Sequence, residues 1–367
     1  MNTSKPQRLL SLDTLRGFDM LWIIGGNHLF YALGEVSGWG WAEWVSRQLD
    51  HVEWEGFHAF DLVFPLFMFI SGVAIPFSLM NKVTKGVPKK TLMAKVLKRV
   101  VILFLFGLIY NNALSFDFAN LRVASVLGQI GCAYLLATLI VLNTSSFKAR
   151  LIWFFGILIG YAGLQYLIPV PGFGAGHFTP EGSINGWIDQ LLLPGRLYGG
   201  TFDPEGLLCI VSAAAITLLG SMAGEVLRAK EQTPYGKTLI LGLAGVGMIL
   251  LGILLGQWYP IIKSLWTSTF NLLTGGISLL LLALFYLVID VWGYHKWTFF
   301  FRVIGLNSIT IYLAVRIVKF KATSDFFLGG IAALTGSFEP VVLFAGMIAL
   351  EWLLLYFLYK KEIFLKV

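Results

Sequence analysis

His51 and Asp61 stand ten residues apart where a polar, aromatic run meets a long apolar segment, in HVEWEGFHAFDLVFPLFMFISGVAI (51–75). An imidazole takes and gives a proton near neutral pH. A carboxylate inside a membrane span is costly unless it is paired or faces water, so Asp61 is a functional-site candidate by default. The pair reads as the reactive corner of a membrane-embedded transferase.

Other ionisable residues surround this corner in the sequence. Asp13, Arg16 and Asp19 lie at spacings of three, which share one helical face. They form either a structural ion pair or, through the guanidinium of Arg16, a phosphate reader. Asn27 lies three turns beyond Arg16 on roughly the same face, where an amide can orient a carbonyl. The run 32–57 places Trp41, Trp44 and Trp54 among Asp50, Glu53 and Glu55. It suits an interfacial aromatic belt, or a platform for a sugar ring with Trp54 and Glu55 beneath it. Asp203-Pro204-Glu205-Gly206 reads locally as a helix N-cap, with Pro204 at the first helical position and Glu205 in the first turn. Lys98, Arg99 and Arg122 read as snorkelling anchors. Of five histidines, four fall on one side, but none has a metal-ligand spacing, and no metal is expected. Cys132 and Cys209 fall in apolar stretches as buried thiols.

The elements that must position these groups are membrane helices. Of 367 residues, 57% are hydrophobic and 13% charged. A soluble chain of this length carries roughly twice that charged fraction. The expected fold is all-α, a polytopic integral membrane protein forming one domain over 1–367. Apolar windows predict about ten spans, near 9–31, 58–80, 93–112, 121–143, 150–169, 205–227, 237–257, 268–290, 299–319 and 340–359. The first is read as an uncleaved span, because Asp13, Arg16 and Asp19 interrupt its leader-like start. The piece 325–335 is too short to cross. Gly305 to Ser308 falls inside the ninth span, where small and amide residues mediate packing.

Charge sets the orientation. One set of connections carries Lys82, Lys85, Lys89, Lys90, Lys148, Arg150, Lys230, Lys237, Lys296, Lys360, Lys361 and Lys366; the other carries only Arg47, Arg196, Lys263 and Lys321. Both termini are therefore expected in the cytoplasm, with His51 and the Gly- and Pro-rich connection 170–204 outside. The net charge of +7 lies in these loops, which argues for topology and against nucleic acid.

The stretches SLDTLRGFDM (11–20), HVEWEGFHAFDLVFPLFMFISG (51–72), FDPEGLL (202–208), the GxNSIxxY pattern at Gly305 to Tyr312 and the terminal YKKEIFLKV run in one order. With them the chain resembles the transmembrane acyltransferases related to heparan-α-glucosaminide N-acetyltransferase, in a short bacterial form without the lumenal N-terminal domain. That resemblance implies transfer of an acetyl group from cytosolic acetyl-CoA to the amine of an amino sugar or glycan end outside. It implies His51, Asp61 and Asn27 as catalytic residues. It implies Asp203, Glu205, Trp54 and Glu55 at the acceptor, and Arg16, Arg99, Lys360 and Lys361 at the donor's phosphates. The family's VLQR-[IL]-G reads VLGQIG at 126–131, with Gln129 in the arginine's place. The partners implied are the lipid bilayer, acetyl-CoA and the glycan acceptor, with a homodimer left open. The location implied is the bacterial inner membrane.

In such a site His51, oriented by Asp61, serves as the base that frees the acceptor amine, or carries the acetyl group itself. Asn27 would reach the thioester oxygen. Two other classes fit the pattern: a transporter of the same sugars with Asp61 in a coupling relay, and a passive assembly subunit. A deep pocket from the cytoplasmic face ending near His51 favours the enzyme; two gated vestibules favour the transporter.

Overall fold

A helix stands at each of the ten predicted places. The computed structural model describes residues 9–365; the first eight residues of the leader-like stretch, and Lys366 and Val367 of the terminal motif, lie outside them. Helix α1 (Leu10–Leu21) passes through a π turn at Trp22–Gly26 into α2 (Asn27–Ser37), and α3 (Gly40–Gln48) follows. Gly25 sits in the π turn at φ 129°, a conformation open to glycine alone at no steric cost. A short 3₁₀ turn leads into α4 (Val63–Ile75), which continues through a second π turn into α5 (Asn81–Thr84). Next come α6 (Lys89–Tyr110), α7 (Val126–Asn143) and α8 (Phe147–Leu167). The long connection holds one short helix, α9 (Ile184–Leu192), before α10 (Leu207–Arg228) and α11 (Pro234–Leu255). The chain closes with α12 (Ser268–Phe285), α13 (Thr298–Leu306), α14 (Ser308–Ile317), α15 (Phe320–Ala333) and α16 (Glu339–Lys360).

Among the described residues, seven helical segments are long and apolar enough to cross a bilayer. An eighth joins them if α13 and α14, bent by 73° at Asn307, count as one broken span. The chain is an integral membrane protein, as its composition required. The segments through α4, α10 and α12 are mostly buried inside the bundle, and α8, α11 and α16 mostly turn outward.

Within a bilayer, apolar side chains gain little by leaving lipid for protein, so helices associate through close backbone packing. Here Gly72 of α4 faces Gly220 of α10. A Cβ added to either would stand 2.0 Å from a carbonyl oxygen of the other helix, of Thr217 or Phe69 respectively. Gly305 of α13 packs against α1 in the same way, with an added Cβ 2.2 Å from the carbonyl oxygen of Asp13. The expected packing role of Gly305 is met. Asn307 does something further: its amide donates to the carbonyl of Ile363 (3.1 Å) and accepts from the N–H of Leu365 (3.4 Å), pinning the C-terminal segment at the break.

Helix starts follow the capping rule. The side chains of Ser125, Ser146, Ser183 and Thr233 accept N–H groups at the starts of α7, α8, α9 and α11. Far from His51, Arg228 reaches the carbonyl of Pro76 and the side chain of Asn81, and Arg150 pairs with Glu225 at 2.6 Å. These contacts tie together the ends of α5, α8 and α10.

Candidate active site

His51 lies just past α3, and Asp61 lies in the 3₁₀ turn that opens α4. The turn points the carboxylate back at the loop it came from. Asp61 Oδ2 accepts the N–H of His58 at 3.0 Å, and Oδ1 stands 2.7 Å from Nδ1 of His51. Asp61 is fully buried, while the side chain of His51 keeps 48% of its surface exposed. A third group completes the cluster. Lys263 Nζ is 3.2 Å from Oδ1 of Asp61, 2.9 Å from Nδ1 and 3.2 Å from Nε2 of His51. The buried carboxylate is thus met by an ammonium, an imidazole and a backbone N–H, as a charge out of water requires. An ionised Asp61 accepts the Nδ1–H, so the Nε2 lone pair faces the Lys263 amine at 3.2 Å.

Backbone links hold the cluster. The N–H of Gly56 donates to the carbonyl of Ile261 (2.9 Å), joining the His51 loop to the loop of Lys263. Trp266, in the same loop, is buried and donates its indole N–H to the carbonyl of Pro204 (3.0 Å). Asn27 acts from further off. It hydrogen-bonds Tyr31, whose hydroxyl donates to the carbonyl of Leu49, two residues before His51.

The DPEG turn folds differently from its local reading. Helix α10 starts at Leu207, and Gly206 is its N-cap position. Asp203 does not cap it, Pro204 is not its first residue and Glu205 is not in its first turn. Asp189 of α9 supplies the carboxylate instead, accepting the N–H groups of Leu207 (3.0 Å) and Asp203 (3.3 Å). Asp203 is left to bind Arg122, whose Nε lies 2.8 Å from its Oδ2, and Glu205 bonds the same guanidinium. The Arg122 guanidinium also sits 4.8 Å over the ring of Tyr198. Arg122 is therefore the centre of an ion cluster, not a snorkelling anchor, because two carboxylates at the end of the long connection close on it.

Burial pushes Glu205 up to about 7, opposed by Arg122 and reinforced by Asp203. Burial likewise lowers Lys263 from its ordinary value, against the pull of Asp61 and Glu205.

His51, Lys263 and Glu205 share the lining of a cavity of about 200 Å³. Its walls are mostly apolar, from Phe60, Phe64, Phe67, Met20, Ile23 and Ile130, and Ser308 and Tyr312 also line it. An apolar hollow with a few convergent polar groups is the usual form of a small-molecule site. Arg16, Arg99, Lys360, Lys361, Asn27, Trp54, Glu55 and Asp203 do not line it. Trp54 donates its indole N–H to the carbonyl of Phe178 (2.8 Å) and packs edge-on to Phe202, tying its loop to the long connection. Glu55 is exposed. Arg16 bonds Asp13 at 3.1 Å. Arg99 lies over the ring of Tyr134, and its Nε is buried with no hydrogen-bond partner among the described residues. Lys360 lies over Tyr356, and Lys361 is exposed. Both amide atoms of Gln129 are buried and likewise unpartnered. No group of three or more metal-ligating side chains gathers among the described residues.

Sequence reasoning missed Lys263 and Arg122 as site residues. The available signal for Lys263 was its place among the four basic residues of the connections in which positive charge is scarce.

The family model described as a domain of unknown function (DUF5009) matches residues 8–192. The heparan-alpha-glucosaminide N-acetyltransferase of Mus musculus is 27% identical over 422 residues, covering 99% of this chain and 61% of that protein. The protein of the same name in Homo sapiens is 27% identical over 373 residues, covering 86% of this chain and 53% of its own length. The resemblance read from the motifs thus extends along most of the chain, which spans between half and two thirds of the relatives it matches.

Proposed function

The chain belongs to the DUF5009 family, and on that premise we propose that it is a transmembrane N-acetyltransferase. It passes an acetyl group from acetyl-CoA, bound at the cytoplasmic face, to the amine of an amino sugar or glycan end outside. One observation carries the reading: the side chain of His51, held by the buried Asp61, is half exposed and also lines an apolar cavity. A group with its acid buried and its imidazole at a boundary can meet one reactant from each side.

In this reading Asp61 holds the Nδ1 proton and so presents Nε2 as a base or acyl carrier. An amine attacks only when deprotonated, and a positioned imidazole contributes typically 10²–10⁴-fold to such a step. Glu205, held by Arg122, faces the incoming amine from the cavity wall, with Asp203 setting the turn behind it. Asn27 positions His51 through Tyr31 and Leu49. Trp54 and Glu55 border the acceptor's approach. Arg16, Arg99, Lys360 and Lys361, which lie outside this cavity, meet the donor's phosphates at the cytoplasmic face. The α1–α2 rod and α6 complete ten spans, with both ends of the chain in the cytoplasm of a bacterial inner membrane.

The test uses sealed vesicles with labelled acetyl-CoA on the cytoplasmic side and glucosamine on the other. The intact chain should label glucosamine, and His51→Ala should not. Equal labelling by both would end this assignment. Uptake of unmodified glucosamine without any acyl donor would favour a transporter.

A further inference from the structure

Lys263 presents a primary amine at the one place where an acyl group would be handled. Its Nζ lies 2.9 and 3.2 Å from the two ring nitrogens of His51 and opens on the same cavity. The stem is held in place: the loop is fixed by Gly56 to Ile261 and by Trp266 to Pro204. Lys319 and Lys321 lack such a neighbour. Lys321 pairs with Asp325, and Lys319 is exposed. A reactant held in this geometry gains a large effective concentration over one in solution. Burial, which disfavours the ammonium, adds neutral amine to the population.

We propose that Lys263 is a self-acetylation site, taking the acetyl group onto Nζ when no external amine is present. The inference rests on the acetyltransferase reading above and names a product that reading does not contain. The step balances as follows. Nε2 of His51 takes one proton from the Lys263 ammonium and releases it to water; the lone pair so freed forms the N–C bond to the acetyl carbonyl as the C–S bond breaks, and a second proton leaves the nitrogen for the departing CoA sulfur. The products are an N-acetyl-lysine, CoA thiol and a proton. If the acetyl group first rests on Nε2, the bond that breaks in the second step is Nε2–C, and the products are the same. The amide is neutral, so Asp61 loses the ammonium that faces it at 3.2 Å, and the acetyl group fills the mouth of the cavity. Modification thereby switches the site off until it is reversed, and acceptor amine protects it.

The experiment takes the full chain in lipid nanodiscs with isotopically labelled acetyl-CoA and no amine acceptor, then maps every lysine by mass spectrometry. Label at Lys263 should exceed that at Lys319 and Lys321 by at least about tenfold. It should fall when glucosamine is in excess and vanish in His51→Ala. If Lys263 stays unlabelled while the same preparation acetylates glucosamine, this inference fails and the acetyltransferase reading stands. If neither is labelled, the acetyltransferase reading fails and takes this inference with it. Equal label on all three lysines, or label that persists in His51→Ala, marks non-enzymatic acetylation and also overturns the inference.

Discussion

The carboxylate of Asp189 closes the N-terminus of a helix to which it does not belong. It reaches from α9 to accept the N–H of Leu207 at the start of α10, and a second N–H from Asp203. The short helix in the long connection is thereby a structural part of the site: it frees Asp203 to hold Arg122. Replacing Asp189 by Ala should destabilise the chain by about 1–2 kcal/mol, the worth of a lost cap. The check is the thermal unfolding midpoint of the purified chain; an unchanged midpoint would count against this role.

Asp61→Asn tests the orienting role of the carboxylate with almost no change in shape. The amide cannot match a charged acceptor for both the imidazole and the Lys263 ammonium. His51 then loses its fixed tautomer, and a buried ammonium loses its partner. The rate of acetyl transfer to glucosamine should fall about 10²–10⁴-fold, the range for a lost acid–base group. A change below about threefold, with the protein still folded, would remove Asp61 from the chemistry.

Glu205 should write a pH dependence into stability. Its carboxyl is raised from 4.5 to about 7, chiefly by burial. Between those values the folded chain keeps a proton that the unfolded chain releases. The stabilisation is therefore full below the unfolded value and declines as pH rises through the window to about 7. Unfolding midpoints measured across that window should fall with rising pH, and Glu205→Gln should flatten this part of the slope. A slope identical in the variant would refute the assignment.

The Gly72–Gly220 crossing should tolerate no side chain. In Gly220→Ala the new Cβ would meet the carbonyl oxygen of Phe69 at 2.0 Å, and α4 must shift to make room. Since α4 begins at the turn that aims Asp61, both stability and activity should suffer, the former by about 1–3 kcal/mol. Size-exclusion profiles and unfolding midpoints provide the readout. Gly247→Ala, where a Cβ would meet nothing within 4 Å, is the matched control.

Much of this protein was settled by local sequence. Long apolar windows force helices in a bilayer, because backbone polar groups find no partner in lipid outside one; a helix stands at every window. Ser and Thr at helix starts behave as caps because their hydroxyls reach an N–H three residues ahead within one turn. His51 and Asp61 are ten residues apart and meet through a single turn, so their pairing too was legible. The contacts that only the tertiary structure decided are long-range. Lys263 meets His51 across 212 residues, and Arg122 meets Asp203 across 81. Asp189 replaces Asp203 as the cap because α9 folds back onto the start of α10. In each case a charge had several candidate partners along the chain. Burial selected among them, since only the packed bundle fixes which opposite charge shares the same dry space.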